Sequence, residues 1–172
     1  MINKKAFTLI ELLVVVAIIG ILAAVGVTTF NGFQEKAKIN TTKSNFNMLV
    51  KKFKYEMAFC ELRGPDEYAF LEARNYGSHN LQCKAMSGSV SWKSDVGSAL
   101  GYYFGNHMNM KNVLTTNRSF FDTGDKDEYP KDYNLGTIFG FAITNDTINF
   151  TVCFQTPCNQ SSNRLTETIS KN

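Results

Sequence analysis

The chain opens with the longest apolar stretch it contains. From Phe7 to Val27, 21 residues carry a single charge, Glu11, and the stretch is preceded by the basic residues Lys4 and Lys5. A membrane-spanning helix needs roughly 20 consecutive apolar residues. A carboxylate inside such a segment is costly unless something satisfies it, so Glu11 is the first candidate for a functional residue. The pattern then changes without stopping. Between Thr28 and Cys60 there is no proline, and Gly32 is the one glycine. Phe46, Leu49, Val50, Phe53, Met57 and Cys60 recur at steps of three and four, which marks one buried stripe on a helix. Lys51, Lys52, Lys54 and Glu56 fall on its other faces. The pattern predicts one helix from about Phe7 to about Cys60, roughly 80 Å long at about 1.5 Å per residue. Its first half is apolar all round and its second half amphipathic.

Gly64-Pro65-Asp66 is a stop signal. A short helix is expected over Tyr68–Arg74. Asp95–Met110 reads as a further helix, capped by Ser94, with Val96, Leu100, Tyr103 and Phe104 on one side. Two β-patterned runs follow, Thr137–Ile143 and Thr147–Phe154, with a tight-turn signal at Thr144-Asn145-Asp146. In the second run Ile148, Phe150, Val152 and Phe154 share a face that should cover the helical stripe. From Asn159 the chain turns polar and reads as a mobile tail. The fold class is therefore α+β: a long N-terminal helix packed on a small antiparallel sheet. The segments are a leader over residues 1–6, an apolar half-helix over 7–27, an amphipathic half over 28–60, a globular α/β head over 61–158 and a tail over 159–172.

Charge adds one exclusion. The net charge is +3, and losing Lys4 and Lys5 would leave 16 basic against 15 acidic residues. No arginine-rich stripe is present, so the electrostatic footprint of a nucleic-acid binder is missing. Lys4 and Lys5 hold the helix N-terminus in the cytoplasm, which places the remainder beyond the membrane. Four cysteines suit that compartment: Cys60, Cys83, Cys153 and Cys158. Three disulfide connectivities are possible, and closeness in sequence selects Cys60–Cys83 with Cys153–Cys158. No C-x-x-C occurs, and His79 and His107 lack ligand-like spacing to the cysteines, which argues against zinc.

Lys4-Lys5-Ala6 followed by Phe7-Thr8-Leu9-Ile10-Glu11 resembles the processing site of type IV pilins and type II secretion pseudopilins. The resemblance covers about 25 residues. It implies cleavage between Ala6 and Phe7 by a prepilin peptidase, N-methylation of Phe7, and pairing of Glu11 with the amine of a neighbouring Phe7 to set filament register. It differs from the usual pattern in having Ala6 where glycine is common, and no proline at Thr28. The implied function is a structural filament subunit of a type IV pilus, not an enzyme. The alternatives are a pseudopilin of a type II secretion system, or a minor pilin in adhesion or DNA uptake. Implied partners are further pilin subunits in a homo-oligomeric filament, the inner membrane, the prepilin peptidase and the assembly machinery. Localisation would be the inner membrane for the precursor and an extracellular or periplasmic filament after assembly.

No catalytic constellation is present and no cofactor is expected. Some pseudopilins bind calcium in a loop of this part of the fold, so Asp122, Asp125, Asp127 and Glu128 are the candidate oxygen ligands. They lack the full EF-hand spacing, and acidic turns are ordinarily just solvated. Trp92, Tyr102 and Tyr103 could form an adhesive patch, though aromatics at such spacing more often belong to a core.

Overall fold

The computed structural model describes residues 7–69, 81–84, 97–123, 130–144 and 147–170. The chain divides into two compact units, Met1–Ala37 and Lys38–Asn172. Helix α1, Leu9–Arg63, runs without a break for 55 residues. It ends where Gly64 adopts φ +101°, a backbone conformation that glycine enters at no steric cost. The Gly64 N–H donates to the Cys60 carbonyl at 3.0 Å and closes the last turn.

In the second unit α1 buries the predicted stripe: Phe46, Leu49, Val50, Phe53, Met57 and Cys60 all belong to the core. Phe53 is fully buried, and its ring meets Phe150 edge-on at 5.0 Å. Glu56 departs from expectation. It is buried rather than on an outer face, because it borders the stripe, and there it pairs with Lys52 at 2.9 Å.

Beyond α1 come β1 (Tyr68–Ala69) and β2 (Leu81–Gln82), a short antiparallel pair. Tyr68–Ala69 is therefore strand where a helix was expected, and the rest of that expected helix lies outside the described residues. The other helix is shorter than its pattern predicted: α2 spans Gly97–Tyr102 and widens into a π turn, Tyr103–His107. Its inner face carries Ala99, Leu100, Tyr103 and Phe104, all buried.

The main sheet has four strands in the order β3-β4-β5-β6, namely Phe121–Thr123, Ile138–Thr144, Thr147–Cys153 and Arg164–Ser170. It is mixed rather than antiparallel. β3 runs parallel to β4, whereas β4–β5 and β5–β6 are antiparallel. A parallel pair needs a crossover of roughly a dozen residues or more, and residues 124–137 supply it. β3 escaped the sequence pattern because three residues carry no readable period. The polar tail is also corrected. Its last part is strand β6, which pairs with all seven residues of β5. An edge strand with one wet face alternates threonine and serine with Leu165, Glu167 and Ile169, so it reads as polar.

β5, sandwiched between β4 and β6, is buried on both faces from Ile148 to Cys153. Asn149 and Thr151 are among those residues. Burying them is tolerable because they are satisfied. Thr168 Oγ1 donates to Asn149 Oδ1 at 3.2 Å, and Thr151 Oγ1 donates to the Leu165 carbonyl at 3.1 Å. A second buried polar hub is Asn112. Its Oδ1 accepts from the Leu114 and Thr115 backbone N–H groups, and its Nδ2 donates to the Leu135 carbonyl. Asn112 thereby ties the loop before β3 to the approach to β4.

Gly140 faces Phe150 across β4–β5. A Cβ placed there would lie 2.9 Å from the Phe121 ring and 3.0 Å from the Phe150 ring. Valine favours strands, yet Gly140→Val should destabilise this unit by about 1–3 kcal/mol through overpacking. Urea unfolding measures the loss, and equal or greater stability would show that the two rings can part.

Candidate functional site

The first turn of α1 is built by two residues. Thr8 stands just before the helix, and Glu11 is its third residue. This T-x-x-E arrangement is a capping box, in which the two side chains satisfy the free N–H groups of a helix start. Thr8 N–H donates to Glu11 Oε2 at 2.8 Å, Thr8 Oγ1 donates to the same oxygen at 2.6 Å, and Glu11 N–H donates to Thr8 Oγ1 at 3.4 Å. A negative charge at this end also complements the helix dipole. The carboxylate therefore has partners inside its own subunit. The T-x-x-E spacing of Thr8 to Glu11 is the sequence signal for this cap.

From this turn onward the helix start presents apolar side chains to the outside all round. Phe7, Leu9 and Ile10 are at least 70% exposed, and Val14, Ile18 and Leu22 are also exposed. The helix contains an apolar stretch long enough to cross a membrane, none of it buried. A soluble monomer rarely leaves so large an apolar surface open. What this element can do chemically is insert into lipid or pack against other helices.

Comparison with known proteins assigns this segment. A family model for the prokaryotic N-terminal methylation motif matches residues 1–27. The chain carries the N-terminal methylation motif of type IV pilins and pseudopilins. The type IV major pilin protein PilA of Myxococcus xanthus (strain DK1622) is 51% identical over 47 residues, which is 27% of this chain and 21% of that relative. The match thus spans about a fifth of the relative. No solved structure matches. In this pilin-like chain the described fold is the α+β arrangement of a long N-terminal helix and a small sheet.

The remaining site residues divide as follows. Ala6 lies outside the described residues, and Phe7 is exposed. Cys60 bridges Cys83 with Cα atoms 5.2 Å apart, and Cys153 bridges Cys158 at 5.5 Å. The first bridge ties the last turn of α1 to the residue after β2. The second closes the turn after β5, where the Cys158 N–H also donates to Asp132 Oδ1 at 2.6 Å. Of the calcium candidates, Asp122 is exposed, and its Oδ1 accepts the Thr123 N–H at 2.8 Å. Asp125, Asp127 and Glu128 lie outside the described residues. Among the described residues no group of three or more His, Cys, Asp or Glu is placed to hold a metal. His107 is exposed and stacks on Tyr103, while His79 and Trp92 fall outside the described residues. Tyr103 is buried and so belongs to the core rather than to an adhesive patch.

Proposed function

We propose that this chain is a filament-forming subunit of a type IV pilus. It is cut between Ala6 and Phe7 by a prepilin peptidase, N-methylated at Phe7, and polymerised through the apolar half of α1. The observation that carries this reading is the wholly exposed apolar start of α1, headed by one carboxylate. In lipid that surface is at no disadvantage, so the precursor rests in the inner membrane with its N-terminus cytoplasmic. Leaving lipid exposes the surface, and only packing against other copies covers it again. Two disulfides in the second unit support placing that unit outside the cytoplasm. The pilin name of the relative favours a pilus over a secretion pseudopilus.

Glu11 does two things in succession in this scheme. In the lone subunit Thr8 satisfies it, which lowers the cost of holding a charge in the bilayer. In the filament the amine of a neighbouring Phe7 pairs with it. Because one axial offset brings the two groups together, the pairing sets register. Mass analysis of filament protein should find a terminus at Phe7 with one added methyl group. An intact Met1, or a terminus after Gly26, overturns the reading. Glu11→Ala should insert into membranes at least as well as wild type but yield far fewer filaments. Electron microscopy counts them against the membrane pool, and wild-type numbers would remove the register role.

A further inference from the structure

β6 ends the main sheet, and among the described residues no strand pairs with its outer edge. The ladder shows which backbone groups face outward. The Phe154 N–H donates to the Asn163 carbonyl at 2.9 Å, in the same register as the β5–β6 pairs. Hydrogen-bonded and non-bonded pairs alternate along an antiparallel ladder. Leu165, Glu167 and Ile169 therefore bond to β5, while the N–H and C=O groups of Thr166 and Thr168 point away from it. Both threonines are exposed. Natural sheets guard such an edge with lysine, proline, a bulge or a very short strand. Arg164–Ser170 has none of these: it keeps one register over seven residues and contains neither lysine nor proline. An inward-facing charge is the remaining guard, and the one here, Glu167, is already matched by Lys54 of α1. Beside this edge α1 and β6 border a groove of about 290 Å³. Met57, Ala58 and Glu61 line it on the helix, and Thr168, Ile169 and Ser170 on the strand.

We infer that this edge binds an extended segment of another protein as an added antiparallel strand, in which an apolar residue is followed two positions later by a basic one. Strand addition satisfies the outward N–H and C=O groups, and sites for alternate side chains select the sequence. Every second side chain of the added strand faces α1. The one opposite Ile169 enters the groove against Met57 and Ala58, which calls for an apolar residue. The next on that face lies opposite Glu167. There the carboxylates of Glu167 and Glu61 outnumber the Lys54 amine, which calls for lysine or arginine. A second copy of β6 fits less well. Antiparallel self-pairing sets Glu167 opposite itself, or opposite Leu165 or Ile169 in the neighbouring registers, and brings no cation to that face. The surface is separate from the apolar half of α1, so the inference does not depend on the filament reading.

The test titrates the full-length chain in detergent micelles with a short labelled threonine peptide that carries valine and, two positions later, lysine. The peptide should bind and protect the Thr166 and Thr168 amides from hydrogen exchange. Methylating the backbone nitrogen of the threonine between valine and lysine removes the donor to Thr168, and should weaken binding at least tenfold. Replacing the lysine by glutamate should do the same. On the protein side, Thr166→Pro removes an outward N–H and nothing from the β5 ladder, where proline is tolerated. Thr151 keeps its bond to the Leu165 carbonyl. This variant should retain its thermal midpoint and both disulfides yet bind at least tenfold more weakly. Glu61→Lys, on the exposed side of α1, is the second variant and should reverse the preference toward the glutamate peptide. No binding by the lysine peptide overturns the inference, as does equal binding by the methylated one. Pairing of two chains without peptide, lost in Thr166→Pro, would make a second copy the occupant and overturn it as well.

Discussion

Phe53→Ala is expected to lower the stability of the Lys38–Asn172 unit by roughly 3–5 kcal/mol. The ring is fully buried and stands edge-on to Phe150, which Phe121 also approaches, with ring centroids 6.4 Å apart. Truncation removes the apolar transfer energy of the ring. It also leaves a void between α1 and β5 that neither can fill, because a helix and a central strand are both held by their own backbone hydrogen bonds. A domain of this size is stable by about 5–15 kcal/mol, so the loss takes a large share. Chemical unfolding of the chain from Thr28 onward measures it, with the exposed Lys51→Ala as the control. A change no larger than the control's would mean that Phe53 does not hold the helix to the sheet.

Removing the Cys60–Cys83 bridge by paired serine substitution should cost about 3 kcal/mol, and removing Cys153–Cys158 about 2 kcal/mol. The order follows from loop size, since the bridged residues are 23 and 5 positions apart. The longer loop has more freedom to regain in the unfolded chain. It also holds β2 against the end of α1, and β1–β2 is a pair of two-residue strands with little stability of its own. Thermal unfolding of the two double variants, each compared with wild type, gives the ranking. A larger effect from the short loop would show that the second bridge acts through the packing of the turn after β5 rather than through chain entropy.

Much of this protein was legible in its residues, for local reasons. The helix stripe, the glycine stop at Gly64 and the β4–β5 hairpin each repeat or break a period within a few residues. Nearest-neighbour pairing of the cysteines coincides with the two bridges because each joins the closest cysteine along the chain. The Thr8–Glu11 cap is legible too, as a T-x-x-E spacing at the head of the apolar run.

Other features depended on what lies far away in the chain. β3 has three residues and no period, and it is a strand because β4 offers it a parallel edge. Residues 164–170 have the composition of a tail and become β6 because β5 leaves an edge free. Glu56 resembles a solvated helix residue, yet it is buried beside Lys52 at the border of the stripe. Asn149 and Thr151 would mark a wet face, and instead they are buried with partners on β6. In each case the residue's own preference is weak, and a contact many positions away outweighs it. The sequence by itself determined the long helix, its apolar first half and the lone carboxylate at Glu11, because a run of 21 residues with one charge admits few other uses. Only the tertiary structure decided the sheet order, its mixed direction, and which side of the second half of α1 stays open. Those outcomes depend on which distant segments compete for the same edges and faces.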